Sequence, residues 1–451
     1  MLVQISGDTS ARQLPRGLGL ADEPPVRRQS HVFETANGSH ALVVDGSRIY
    51  SVDQETADQL RMDPGDSGGL LARLGLLGDR PYITDEAPRS MAVRSLSLAV
   101  AQKCNLACTY CYAQEGSFGS EPRNMEREAA LRSLELLFEG ASPGESVNLA
   151  FLGGEPLVNR ALIRECTERA LALGLSQSVR TNFSITTNGT LINADDGRFF
   201  EEYGFAVTVS IDGAGEVHDR QRPLRGGQGS YAKVIDNVKP LLAMQRRMQV
   251  SARVTVTPGN LRLRETLDTL LALGFHSVGF SPMLHAPSGQ GEMNDAALAE
   301  MLAQMIDCGE EFERHVIRGQ RYAFANVSTA MQEIHKGTHR PYPCGAGGGY
   351  FGVAADGGLY ACHRFVGDKN AAFGDVWSGV DEDAQSRWLA ERHVHTQSPC
   401  SGCWARYLCG GGCHHEVIHR GRPACDNIRG WLEFCLQAYV RLRASAPGYF
   451  S

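Results

Sequence analysis

Between Val93 and Met283 the chain alternates strand-like and helix-like segments six times. That rhythm constrains the fold more than any other feature. The strand-like segments are 96–100, 147–151, 183–186, 206–210, 252–256 and 277–280. Amphipathic runs at 127–137, 162–173, 231–248 and 263–273 lie between them. Repeated βα units require a parallel sheet with helices outside it. Six units fall short of a closed eight-fold ring, so the expected α/β fold is an open, partial (β/α)6 TIM-like barrel. Such folds place their sites at the carboxyl ends of the strands.

Directly after the first strand come Cys104, Cys108 and Cys111, with three and then two residues between them. Three thiols can hold three irons of a four-iron cluster and leave the fourth open to a small molecule. The 451 residues contain 13 cysteines, seven of them near the other end at similarly tight spacings. Disulfides are not expected in so long a chain without a signal-peptide pattern at its start. Zinc also uses C-x2-C pairs, but the front triplet has no fourth Cys or His nearby. The formal charge of −7 gives no footprint for nucleic acid or an anionic membrane. No apolar run approaches the ~20 residues that span a bilayer. The expectation is a soluble, cytoplasmic protein.

Residues 1–25 read as a polar leader or an irregular strand. Strands around 31–35, 41–45 and 48–52 are joined by turns at Asn37-Gly38 and Asp45-Gly46. Asp53 is placed to cap a helix to about 62, and a second helix covers 67–74. Three strands and two helices resemble a small winged-helix module, assigned to 1–90. The barrel takes 91–290 and a helical bridge 291–340, with its helix from 294 to about 316. Residues 341–451 are rich in Gly and Cys with little periodicity. They form a loop-rich domain that needs metal to order it, closed by a helix over about 427–442.

C-x3-C-x2-C after the first strand of a partial barrel resembles the radical S-adenosylmethionine (radical SAM) superfamily. The resemblance implies a 4Fe–4S cluster on Cys104, Cys108 and Cys111, its open iron chelated by S-adenosylmethionine (SAM). Tyr110 matches the aromatic residue before the last cysteine. Gly153-Gly154-Glu155-Pro156 ends the second strand and is similar to the GGEP segment that binds the methionine amino group. Glycines let backbone approach a ligand, and Glu155 is able to accept from an ammonium. Thr187-Asn188-Gly189-Thr190 resembles the family's third turn. Ser210-Ile211-Asp212-Gly213, with His218, Asp219 and Arg222 following, resembles the stretch whose serine and arginine help hold SAM. The implied chemistry is one-electron cleavage of SAM to methionine and a 5′-deoxyadenosyl radical, which abstracts hydrogen.

The rear cysteines resemble the SPASM extension, C-x9–15-G-x4-C, C-x2-C-x5-C-x3-C and a last C. That implies two auxiliary 4Fe–4S clusters, three in all. Cys344, Cys362 and Cys413 would hold the first auxiliary cluster. Cys400, Cys403, Cys409 and Cys425 would hold the second, with Cys435 as the alternative last ligand. Cys166 and Cys308 read as packing residues. The first auxiliary set has three cysteines only, so its last iron is open or liganded from elsewhere; an open iron would suit a substrate thiolate. His363, beside Cys362, is a candidate catalytic proton acceptor, a donor to the cluster, or a structural residue.

SPASM proteins mostly modify peptides. The front module resembles a leader-peptide recognition element, in which a peptide adds a strand to a sheet edge; an extension that merely packs on the barrel is the alternative. The implied activity is a peptide maturase forming an intramolecular cross-link, a thioether or a C–C bond, as in the maturation of quinohemoprotein amine dehydrogenase. The implied partners are a precursor peptide or small protein and a reductant such as flavodoxin or ferredoxin. An anaerobic sulfatase-maturing enzyme, forming formylglycine, is the alternative. Those relatives carry Asp where this chain has His363. A non-catalytic iron–sulfur carrier would not need the GGEP, TNGT and SIDG turns.

Overall fold

The structure is a computed structural model that describes residues 27–62 and 67–450. The leader expected over 1–25, and the reading of the chain's start, lie outside the described residues. Strands β1 (Ser30–Thr35), β2 (Gly38–Val43) and β3 (Arg48–Val52) form an antiparallel meander in the order β1-β2-β3. Helices α1 (Gln54–Met62) and α2 (Ser67–Arg73) follow. Asp53 Oδ1 accepts from the Thr56 N–H at 2.7 Å, the N-cap its position suggested. Ala41, Val43, Leu60 and Leu71 are buried together beneath the meander.

The main sheet contains β4 (Ser95–Gln102), β6 (Ser146–Gly153), β7 (Arg180–Thr187), β8 (Ala206–Ser210), β9 (Gln249–Val256) and β10 (Val278–Pro282). These six strands are parallel and adjacent in chain order, and β10 does not close onto β4. The two-residue β5 (Arg123–Asn124) pairs antiparallel with the end of β4. Leu96, Leu98, Ala99, Val100 and Ala101 of β4 are all fully buried, as a strand covered on both faces must be. Helices α3 (Arg127–Glu139), α4 (Arg160–Gln177), α5 (Ala194–Tyr203), α6 (Glu216–Gln221), α7 (Tyr231–Met244) and α8 (Leu263–Ala272) are the crossovers.

Helices α5 and α6 were not expected. In α5 a glycine interrupts a short acidic run, which weakens the periodic signal. Its start is instead held by a reciprocal capping box between Asn193 and Asp196. Arg160 then clamps Asp196 through bonds of 2.7 and 3.0 Å.

After β10 come α9 (Asp295–Ile317) and α10 (Ala325–His335). The C-terminal segment contains β11 (Tyr350–Val353), β12 (Gly358–Tyr360), β13 (Ala372–Asp375) and β14 (Gly379–Val380). It also contains α11 (Glu382–Arg392), α12 (Arg406–Cys409), α13 (His414–Arg420) and α14 (Cys425–Ser445). Strand β11 lies parallel to β4, with Tyr350 opposite Ser95, so this segment extends the barrel sheet. Strands of two to four residues are too short for an alternating pattern, and only this pairing reveals them. The front meander rests on the same segment: the His31 ring stacks on Trp404 with centroids 3.8 Å apart. Its Nε2 also meets the Glu433 carboxylate of α14. No helix among the described residues is long and apolar enough to cross a membrane.

Candidate active site

The loop after β4 carries the thiol triplet and is fixed by backbone pairing. Ala107 N–H donates to Pro223 O at 2.9 Å and Thr109 N–H to Gln221 O at 3.0 Å. Arg225 Nε donates to Cys104 O at 2.7 Å. The triplet therefore sits over the carboxyl ends of the strands.

There the fold opens into a cavity of about 600 Å³, lined by all three thiols and by Tyr110, Gly153, Gly154, Asn188, Ser210 and Arg222. The size suits a cofactor-sized ligand. The expected site residues are brought together from consecutive strand ends, with one exception. Glu155 is fully buried and is not part of the lining. Its Oε1 accepts from Leu157 N–H at 3.1 Å and Thr187 Oγ1 at 2.8 Å; its Oε2 accepts from Asn188 N–H at 2.8 Å. The expectation that this carboxylate faces the ligand is corrected here: it bolts the ends of β6 and β7 together. Burial pushes its pKa up, while those three bonds pull it down.

Gly154 shows why that turn contains glycines. A Cβ there would lie 2.4 Å from Lys103 O and 2.8 Å from Gly116 Cα. Both are backbone atoms beside Cys104, so they cannot swing away. Gly154→Ala is expected to displace the triplet loop, cost about 3 kcal/mol of stability and lower iron incorporation at those thiols. Thermal unfolding and iron analysis of the variant check this.

A buried polar trio supports the opposite wall. Tyr110 OH donates to Asp212, and Arg222 Nη1 donates to Tyr110 OH at 2.6 Å. Arg222 and Asp212 are 3.7 Å apart. Arg222 Nε is buried and has no hydrogen-bond partner among the described residues. Asp212 also accepts from Thr255 N–H at 2.9 Å. His218 is sealed behind it, accepting from Asp212 N–H at 3.2 Å, with burial driving its pKa down to about 3. His218 is thus a neutral structural acceptor.

The far side of the cavity is formed by the C-terminal segment: His363, Arg364, Cys413 and Glu416 line it too. His363 Nδ1 is 2.7 Å from Tyr350 OH, which itself donates to Ser97 Oγ at 2.9 Å. Arg364 pairs with Glu416 at 2.6 Å. Sequence reasoning missed Tyr112, Arg253, Arg364 and Glu416. Arg253 sits in a strand-like segment where it gave no functional signal. Tyr112 lies under the Arg364 guanidinium, 5.5 Å from ring centroid to Cζ, and edge-on to His363.

The chemistry of the donors fits iron–sulfur groups. Burial drives the thiols up, Cys108 and Cys362 to about 12 and Cys400 to about 11, and neighbouring thiols of each set push the same way. Such thiols lose their protons only to a cationic centre. Among the described residues no three His, Cys, Asp or Glu side chains converge as one metal ion requires. Thiols that share a cavity without converging leave room for a polynuclear group. Cys400, Cys403, Cys409 and Cys425 surround a second, small cavity, which Cys413 also borders. Cys435, by contrast, is fully buried in α14 beside Glu313 and lines neither cavity. Cys166 and Cys308 are likewise core.

Residues 98–270 match the model of the radical SAM superfamily. The chain therefore contains a radical SAM domain. It is 24% identical over 339 residues to a serine-type anaerobic sulfatase-maturating enzyme of Klebsiella aerogenes, covering 72% of this chain and 81% of that protein. It is 34% identical over 160 residues to a cysteine-type enzyme of Clostridium novyi, covering 33% and 41%. In fold it is similar to anSMEcpe with bound AdoMet, with a TM-score of 0.64 and 19% identity over 78% of this chain and 99% of that one. It is also similar in fold to Streptococcus suis SuiB bound to the precursor peptide SuiA, with a TM-score of 0.51 and 14% identity over 89% and 98%. The open α/β architecture is the one the βα rhythm foretold.

Proposed function

We propose that this radical SAM enzyme matures a ribosomally made peptide or protein by closing an intramolecular cross-link, a thioether or a carbon–carbon bond. One observation carries the reading. A single cavity joins Cys104, Cys108 and Cys111 to His363 and Cys413, a member of the three-cysteine rear set. The stretch after Cys344, Gly345-Ala346-Gly347-Gly348-Gly349-Tyr350, offers no fourth thiol. A substrate cysteine reaching into this cavity would find a coordination place that the chain itself does not fill.

Cys104, Cys108 and Cys111 would hold the SAM-binding 4Fe–4S group. Cys344, Cys362 and Cys413 would hold one auxiliary group, and Cys400, Cys403, Cys409 and Cys425 the other. When bound, these groups and SAM supply the deoxyadenosyl radical and an outlet for the second electron of the oxidation. The chain's own residues position and enclose. Gly153 and Gly154 present backbone to SAM, and Asn188, Ser210 and Arg222 supply polar contacts from three further strand ends. Tyr110 is held by Asp212 and Arg222, so its ring forms a rigid wall. His363, oriented by Tyr350, is placed to take the proton released as the cross-link closes. The front sheet would recruit the peptide: β1 is tied to the C-terminal segment, which leaves β3 as the outer edge for an added strand. A flavodoxin or ferredoxin is the expected electron donor.

The second reading, formylglycine formation, is favoured by the similarity to the sulfatase-maturating enzymes of Klebsiella and Clostridium. The test is to incubate the reconstituted enzyme with SAM, reductant and the short peptide encoded beside its gene, then analyse the peptide by mass spectrometry. Loss of two hydrogens with no carbonyl trapped by hydrazine is the expected result, and for a thioether one cysteine also no longer alkylates. Because serine oxidised to formylglycine also loses two hydrogens, the hydrazine adduct decides. Its formation establishes the second reading instead, whether a serine was oxidised or a cysteine that thereby lost its thiol.

A further inference from the structure

Three guanidinium groups line the active cavity: Arg222, Arg253 and Arg364. Two are matched. Arg222 meets Tyr110 OH at 2.6 Å and Asp212 at 3.7 Å. Arg364 meets Glu416 at 2.6 Å and His285 O at 3.3 Å. Among the described residues, the Arg253 side chain has neither a hydrogen-bond acceptor nor an ion pair. It lines the open cavity, where its side chain is exposed, while the surrounding protein lowers its pKa. Its guanidinium is thus free to meet a ligand that enters the cavity.

Its setting is polar and directional. In the sheet register Arg253 stands opposite Ser210 of β8. Thr208, Thr255 and Ser281 line the same wall. Glu416 attracts Arg253 but is already engaged by Arg364. The two free ends of the cavity also differ. Arg222 interacts electrostatically with Cys108 and Tyr110, on the side of the thiol triplet. Arg253 interacts with Arg364, Glu416 and His363, on the side of the rear segment. Apart from Ser210, the residues assigned to SAM cluster at the first side, while the charged groups around Arg253 belong to the rear segment.

We propose that Arg253 is a carboxylate receptor, and that the carboxylate is an acidic side chain of the peptide substrate close to the position attacked. An arginine fork matches a carboxylate in two parallel bonds, and the neighbouring hydroxyl of Thr255 suits its outer lone pairs. The site would thereby select sequences with Asp or Glu near the reacting residue and fix their register over the radical source. This deepens the peptide-modifying reading and rests on it. The only other carboxylate due in this cavity belongs to the methionine part of SAM.

The test measures binding without turnover. A pool of random cysteine-containing decapeptides is panned anaerobically on the cluster-loaded wild-type enzyme, on Arg253→Gln and on Arg253→Lys, and the retained peptides are sequenced. In parallel, SAM affinity is measured for each by equilibrium dialysis, and thermal unfolding reports on folding. The expected result is enrichment of Asp and Glu on the wild type, weaker enrichment on Arg253→Lys and none on Arg253→Gln. The affinity of Arg253→Gln for a retained acidic peptide should fall at least about tenfold, with a smaller loss for its Asn or Gln version. SAM affinity should stay within about threefold. Equal acidic enrichment on wild type and Arg253→Gln overturns the proposal. So does a tenfold loss of SAM affinity, which would assign the carboxylate to SAM. Retention of neutral peptides without acidic preference overturns it while leaving the peptide-modifying reading intact. Retention of no peptide by the wild type counts against both.

Discussion

Replacing Cys104, Cys108 and Cys111 together by alanine is expected to abolish SAM cleavage and to remove about four irons per chain, leaving about eight. The reasoning starts from the donor set. The three thiols share one cavity with the strand-end residues assigned to SAM, while the other seven rear cysteines are drawn from the C-terminal segment alone. The rear sets should therefore load in the triple variant. Their ultraviolet–visible absorption and electron paramagnetic resonance signals should persist at about two-thirds of the wild-type iron. Formation of 5′-deoxyadenosine under dithionite should fall to background. Substituting the rear residue Cys362 with alanine should give the complementary result. Basal SAM cleavage would survive, but the peptide product would not form, because Cys362 belongs to the set bordering the substrate end. Iron at wild-type levels in the triple variant, or zinc in the purified protein, would refute the assignment of the triplet.

That contrast also shows why some of this molecule was legible before its structure. The six strands could be read because β4 carries five fully buried residues and the others alternate buried with less buried positions. The turns could be read because Gly154 and its neighbours must pass within about one atomic contact of the triplet loop. Short elements were not legible. Strand β11 has four residues; it pairs with the adjacent β12 and joins the main sheet through β4, some 250 positions earlier, a pairing no local pattern encodes. Helix α5 owes its start to Asn193 and Asp196, a capping box in the sequence that went unread among acidic residues. Arg253 was missed for a different reason. In an alternating strand it looks like a solvent-facing residue, and only barrel curvature turns that face inward onto a cavity. Glu155 shows the converse limit. Its motif identified the right turn, but a motif does not reveal which way a carboxylate points.

Glu155→Ala is expected to destabilise the fold by about 2–5 kcal/mol, because it strands buried donors rather than removing one exposed contact. The carboxylate satisfies two amide N–H groups, of Leu157 and Asn188, and the hydroxyl of Thr187. The hydroxyl is free to rotate toward another acceptor, but the two amides are fixed by the backbone and would remain unpaired. The loss would not stay local. Asn188 Nδ2 donates to Asn105 Oδ1 at 3.0 Å and lies 3.7 Å from Cys104 Sγ. Asn188 Oδ1 meanwhile accepts from the Thr190 N–H at 2.9 Å. Freeing the Asn188 backbone would thus loosen the third turn from the triplet loop and reduce iron loading at Cys104. Glu155→Gln separates the two effects. It keeps the shape and one carbonyl acceptor, but it turns an amide NH2 toward the Asn188 or Leu157 N–H, so its cost should be intermediate. Denaturant unfolding under argon, paired with iron content, reads both variants. If alanine at 155 changes stability by less than about 0.5 kcal/mol, the carboxylate is not the bolt between β6 and β7. If it changes SAM affinity with stability intact, Glu155 faces the ligand after all.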